Sequence, residues 1–132
     1  MNIRKSILPA LVMFAVLALP TPAFAVQGSM MTYVNAVLLS STPQPSPATG
    51  LMWGGCMAYL ANPITSFSNS PNCPDQWVSF SCDGTYATQS VAQMMVDQAQ
   101  LAFATQQKVF VVVDDTKLEN GYCTATRIDV WH

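Results

Sequence analysis

The apolar positions of the chain run with a β-like period, switch to a helical one, and return to β. From Thr32 to Leu39 the residues Tyr33, Val34, Val37, Leu38 and Leu39 form a β-rich run whose alternation is imperfect, the first predicted strand. Ser40 to Gly50 holds three prolines in eleven residues and cannot sustain a ladder, so it reads as a rim or binding loop. Leu51 to Leu60 is apolar again, with a Gly54-Gly55 pair marking a bulge or tight coil. Ala61 to Asp75 carries Asn62-Pro63, Ser70-Pro71 and Cys73-Pro74 and is a second loop. Gln76 to Cys82 alternates, which turns Val78 and Phe80 inward and leaves Trp77 to cover an end of the core.

At Asp83-Gly84-Thr85 the period changes. No proline or glycine occurs from Thr85 to about Gln106, and Ala87, Val91, Met94, Met95, Gln98, Leu101 and Ala102 fall in one broad helical sector. Asp83 or Thr85 is the expected N-cap. The polar face holds glutamines instead of Lys and Glu, so helix stability must come from packing and not from i,i+4 ion pairs. Met94 and Met95 read as core fillers in preference to a soft-metal site. Beyond the helix, Lys108 to Val113 is β-rich, and Tyr122 to Trp131 alternates Tyr122, Thr124, Thr126, Ile128 and Val130 against Cys123, Ala125, Arg127, Asp129 and Trp131. Two such runs separated by Asp114 to Gly121, with the turn at Leu118 to Gly121, predict a hairpin.

Ahead of all this, Arg4 and Lys5 precede an apolar run from Ile7 to Leu19, and Ala23-Phe24-Ala25 sets small residues at the two positions a signal peptidase requires. Residues 1–25 are therefore expected to be a cleaved export signal and residues 26–132 one domain in the periplasm or secreted. The apolar run of about 13 residues is shorter than the 17–25 of a spanning helix, so no stable membrane insertion is expected after cleavage.

Composition sharpens the picture. The 132 residues are 51% apolar and 9% charged, which excludes a disordered chain. Past residue 25 only Lys108, Lys117 and Arg127 oppose all seven acidic residues, so nucleic acid and anionic lipid are not expected partners. Cys56, Cys73, Cys82 and Cys123 are even in number and lack a Cys-x2-4-Cys knuckle, and the single histidine is the last residue; two disulfides are expected, with no metal and no cofactor.

The resulting order, β-β-β-α-β-β, is that of a mainly β fold with one helix, the five-stranded oligonucleotide/oligosaccharide-binding (OB) barrel, although a small α+β sandwich would show the same string. In such a barrel the second and third strands are antiparallel and the third and fifth run parallel where the barrel closes, which implies Cys56–Cys82 and Cys73–Cys123 among three possible pairings.

The stretch Trp77-Val78-Ser79-Phe80-Ser81-Cys82-Asp83, the helix segment Ser90-Val91-Ala92-Gln93-Met94-Met95 and the strand Lys108-Val109-Phe110-Val111-Val112-Val113 resemble the exported B subunits of AB5 toxins, in the subtilase-cytotoxin and pertussis-like branch, and small periplasmic relatives. That resemblance spans about Thr32 to Trp131 and implies an OB-fold barrel, ring assembly and glycan binding. Catalysis is not expected: a terminal histidine is a poor general base, and Asp114 and Asp115, adjacent on an extended chain, diverge instead of forming a glycosidase pair. They are expected to end a strand and start a turn; with Glu119 they lack the spacing of an EF-hand.

A sugar site needs a flat ring and a few hydroxyl or amide partners. The candidate ligand-binding residues are Trp53, Trp77 and Tyr86, with Asn69 and Asn72 from the intervening loop; Tyr86 is the ring the apolar stripe needs least. The expectation is an exported, non-catalytic binding protein, a glycan-binding B-subunit-like chain, with a structural or protein-interaction component of the bacterial periplasm or envelope as the alternative. A Gln-rich helix face also suits a helix packed beside copies of itself, so a homo-oligomer is the second expected kind of partner.

Overall fold

The computed structural model describes residues 25–47, 50 and 52–132; the expected export signal, apart from Ala25, lies outside the described residues. Five strands close a mixed barrel: β1 (Gln27–Leu39), β4 (Cys56–Leu60), β5 (Trp77–Ser79), β7 (Tyr122–Trp131) and β6 (Lys108–Glu119), in that order around the wall, with β6 returning to β1. The helix α1 (Gln89–Thr105) lies between the third and fourth barrel strands in sequence, as expected. Two very short strands, β2 (Gln44–Pro45) and β3 (Met52–Trp53), pair only with each other, beside the barrel. Helix–strand packing over a closed barrel, and not over an open sheet, decides for the OB-fold-like architecture over a sandwich.

Every strand pair is antiparallel except β5 with β7, which meet in parallel at Ser79 and Thr124. Closure follows from β1, which is long enough to serve two neighbours. Its first half pairs with β6, from Gln27 opposite Asp114 to Tyr33 opposite Lys108, and its second half pairs with β4. Between the halves the register slips by one residue at Asn35, a bulge that bends the strand and reverses which side faces inward. Thr32 and Val34 point into the barrel before the bulge and Val37 packs on the core after it. That reversal is the physical cause of the imperfect alternation in the sequence. A second bulge, at Thr126, does the same in β7: Cys123 and Ala125 face the core before it, Ile128 and Val130 after it, so the two alternating sets of the sequence exchange sides midway.

Several boundaries differ from expectation. β1 begins five residues before Thr32, because its polar start is held by β6 and not by burial. The run Leu51 to Leu60 is split at Gly54 and Gly55, both at positive φ; a Cβ on Gly54 would stand 2.8 Å from Pro43 Cα, so only glycine lets the two passes of chain approach. β5 stops at Ser79 because Ser81 takes φ 55, although Phe80 still donates its N–H to Cys56 O at 2.9 Å. β6 continues to Glu119, and the turn is Asn120-Gly121, both at positive φ, the pairing that two-residue hairpins favour.

Val78 and Phe80 are fully buried, as read from the alternation, beside Leu60, Phe67, Val109 and Val111. The helix is rotated from expectation. Its buried face is Ala92, Met95, Val96, Ala99 and Ala102, spaced i, i+3, i+4, i+7 and i+10, while Val91, Met94 and Leu101 lie exposed on one flank. Small residues won because α1 lies close across β1 and β7, where an alanine permits near approach. The N-cap is Thr88, whose hydroxyl accepts the Val91 N–H, in place of Asp83 or Thr85. Both disulfides join as the barrel topology implied: Cys56 to Cys82 and Cys73 to Cys123, with Cα atoms 5.8 and 5.6 Å apart.

Candidate functional site

The five candidate ligand residues go to different parts of the molecule. Trp53 sits in β3 opposite Gln44, and its side chain lies outside the described residues. Trp77 is half-buried on the outer wall, where its ring meets Tyr59 at 5.1 Å between centroids, and Tyr59 donates its hydroxyl to Gln76 Oε1 at 2.7 Å. Asn69 and Asn72 fasten their loop to the barrel. Asn69 Nδ2 donates to Gln27 O at 2.9 Å, and the Asn72 N–H donates to Asp115 Oδ2 at 3.1 Å. Of the four described side chains, Tyr86 borders an open recess.

Tyr86 is positioned by a turn that the sequence dictates locally. Asp83 accepts the Thr85 N–H and the hydroxyls of Thr85 and Ser81, the Asx turn that carries the chain from β5 toward α1. Ser81 Oγ in turn accepts the Tyr86 N–H at 2.9 Å, and the Tyr86 phenol donates to Leu118 O at 3.3 Å across on β6. Held at both ends, the residue keeps 40% of its surface exposed.

The recess beside it measures ≈ 290 Å³ and lies between the start of α1 and the β6–β7 hairpin, with Thr88, Lys117, Thr124 and Thr126 as polar lining and Val91, Met95 and the two alanines Ala87 and Ala125 as apolar lining. Thr124 is the informative member. It lies on the outer side of the wall, between the core-facing Cys123 and Ala125, yet is only 1% exposed, and its Oγ1 has no hydrogen-bond partner among the described residues. A buried hydroxyl without a partner costs about 1–3 kcal/mol, and this oxygen, with no accessible surface of its own, is closed off from the recess as the side chains stand. Lys117, with its ammonium 3.5 Å from Asp114 Oδ2, brings a partly exposed positive charge to the same wall. Sequence reading missed Thr88, Lys117, Thr124 and Thr126. The only signal was the pair of hydroxyls in Tyr-Cys-Thr-Ala-Thr, which alternation assigned to a face without revealing its cover.

A second recess, ≈ 310 Å³, is bounded by Met94, Asp97, Gln98 and Ile128 and shares Val91 and Met95 with the first.

On the far side of the Asp83 turn lies a smaller, acidic recess of ≈ 210 Å³, bordered by Ser40, Ser41, Gly55, the Cys56–Cys82 bridge, Asp83 and Glu119. Glu119 accepts a hydrogen bond from Ser79 Oγ. Burial pushes the Glu119 carboxyl above its ordinary value, the Asp83 charge adds to the rise, and the Ser79 hydroxyl opposes it. Asp83 moves the other way, held low chiefly by the Thr85 hydroxyl and N–H. For Asp114 burial acts upward, but the Thr116 hydroxyl and N–H, with Gln27 and Lys117, outweigh it and hold the carboxyl low. The three acids of β6 therefore face different partners: Asp114 turns to Thr116 and Lys117, Asp115 to Val26 and Asn72, and Glu119 to Ser79. Among the described residues no group of three or more His, Cys, Asp or Glu side chains is placed to hold a metal ion.

Comparison with protein-family models, with curated proteins and with solved structures finds no match. The architecture is OB-fold-like in the generic sense, a small five-stranded mixed barrel with one helix. Among the described residues no helix is long and apolar enough to cross a membrane.

Proposed function

We propose that the protein is an exported, non-catalytic binding protein that takes a glycan in the recess beside Tyr86, in the manner of the toxin B subunits its strand–helix texture resembles. The observation that carries the reading is the half-exposed Tyr86 ring bordering an open recess whose lining includes the exposed Thr88 and Thr126. A sugar ring offers an apolar face to the aromatic and hydroxyls to these two threonines, the two kinds of contact the lining supplies. The recess is also built on rigid parts, a strand, a helix N-terminus and a turn pinned by Ser81, so little ordering entropy opposes binding.

The test is glycan-array binding by the exported protein and by Tyr86→Ala. Binding that Tyr86→Ala abolishes while the folded spectrum is kept supports the assignment; binding of equal strength in both proteins, or no glycan bound by either, overturns it. The exposed flank of α1, with Val91 at 44%, Met94 at 60% and Leu101 at 49%, favours a second reading, a protein-interaction component of the periplasm or envelope that packs this flank on a partner or on its own copies. A monomer at tens of micromolar by sedimentation, with no array signal lost in Met94→Lys, counts against self-association.

A further inference from the structure

We propose that removal of the leader after Ala25 creates an ion pair between the new α-ammonium of Val26 and the Asp115 carboxylate, and that this pair fastens the start of β1 and the disulfide loop to β6 only in the processed chain. The inference rests on the leader reading given above. Its geometry is in place: the Val26 N–H donates to Asp115 Oδ1 at 2.9 Å, the Asp115 N–H donates back to Val26 O at 3.2 Å, and Asp115 Oδ2 accepts the Asn72 N–H at 3.1 Å, one residue before Cys73. One half-buried carboxylate thus joins three passes of chain, and the third is bonded onward through Cys73 to Cys123 on β7.

In the unprocessed chain the donor is a neutral amide. A signal peptidase adds water across the Ala25–Val26 peptide bond; the acyl side leaves as the Ala25 carboxylate, and the nitrogen departs as an amine that takes up a proton at neutral pH. The hydrogen bond, until then charged on the acceptor alone, becomes charged on both sides and so an ion pair as well. Nothing competes for Asp115: among the described residues Lys117 pairs with Asp114 and Arg127 with Asp129, so no cationic side chain lies within ion-pair distance of it. The charged groups around the Val26 nitrogen are Asp115, the neighbouring buried Asp114 and that residue's partner Lys117, a set that favours one more positive charge.

The experiment expresses the full chain with its own leader, recovers it after export, and compares it with Asp115→Asn, which loses the charge and one of the two oxygens that accept the Val26 and Asn72 N–H groups. Intact mass fixes the first residue. Urea unfolding against pH then reads the pair: the ratio of the native folding constant to that of Asp115→Asn should be about two- to fivefold larger near neutral pH than above the titration of the α-amine, the range of a partly exposed ion pair, because the lost acceptor weighs equally at both ends. The paired amine has a folded pKa above its unfolded one, so the advantage is complete below the ordinary α-amine value and is lost as pH rises through the folded one. Selective acetylation of the α-amine should remove the same advantage, a readout that does not depend on the variant folding. A first residue other than Val26 overturns the leader reading and the pair with it. A chain that starts at Val26, with an α-amine that titrates alike in both proteins and no effect of acetylation, overturns the pair alone.

Discussion

The two disulfides should differ in kind as well as in worth. Cys56–Cys82 closes 26 residues and Cys73–Cys123 closes 50; the chain-entropy relation gives about 3.5 and about 4 kcal/mol for loops of these lengths. Against the 5–15 kcal/mol margin typical of a domain, either loss alone is survivable, and both together, about 7.5 kcal/mol, exceed the lower end of that range. Replacing Cys73 and Cys123 by alanine should lower the urea midpoint by about 3 M, taking about 1.3 kcal/mol per molar for a chain this small. Access separates the bridges further. Cys73 and Cys123 are 5% and 0% exposed, whereas Cys82 is half-buried and its bridge borders the open acidic recess. Mild dithiothreitol followed by rapid alkylation and peptide mass spectrometry should therefore label Cys56 and Cys82 first, with Cys73 and Cys123 labelled only as the barrel unfolds. Simultaneous labelling of all four under conditions where the fold persists would refute the reasoning, as would four free thiols in folded protein taken directly from its native compartment.

Three further outcomes follow from the packing and the charges. Val96→Ala, on the buried face of α1, should cost about 2 kcal/mol in chemical denaturation, and Met94→Ala, on the exposed flank, less than about 0.5; the reverse order would mean the helix is seated on the other stripe. Gly121→Ala forces a side chain onto φ 86 in the hairpin turn and should cost about 1–2 kcal/mol, whereas Asn120→Gly should be nearly neutral, both read from urea midpoints. The raised Glu119 carboxyl works against stability once ionised: its contribution is present below the ordinary carboxylate range and is lost as pH rises through the folded value, so Glu119→Gln should raise the midpoint at pH 7 and flatten the profile on that side. Asp114 has the opposite sign, its contribution lost as pH falls through its lowered value, and Asp114→Asn should blunt acid unfolding instead.

What could be read in advance was set by the strength of each local pattern. Val78 and Phe80 alternate cleanly and lie where alternation puts them, and the cysteine pairing followed once the element order was matched to a barrel. Bulges defeat such reading because one extra residue reverses every later side chain, as Asn35 and Thr126 do here. The helix misleads for a different reason: bulk alone points to Val91, Met94 and Leu101, whereas close approach to the barrel selects Ala92 and Ala99 for burial. Asn120-Gly121 was legible as a two-residue turn and sat at the end of a broader turn assignment. The recess beside Tyr86 was legible only in its ring. Lys117, Thr124 and Thr126 meet Tyr86 at one recess only in the folded chain, since they lie far from it in sequence.

The shared loyalty of β1 also has a temporal side. Val26 and Asp115 are 89 residues apart, so the strand made first finds its closing neighbour almost last. Whether the chain leaves a ribosome or threads a pore, β1 and β4 are out well before β6 exists, and Cys56 and Cys82 are both available before Cys123. Cys73 has to stay unspent until the final hairpin arrives. Oxidation that runs ahead of synthesis would strand Cys73 with a wrong mate, which makes the pace of thiol chemistry, relative to emergence, a determinant of how much correctly knit protein the cell obtains.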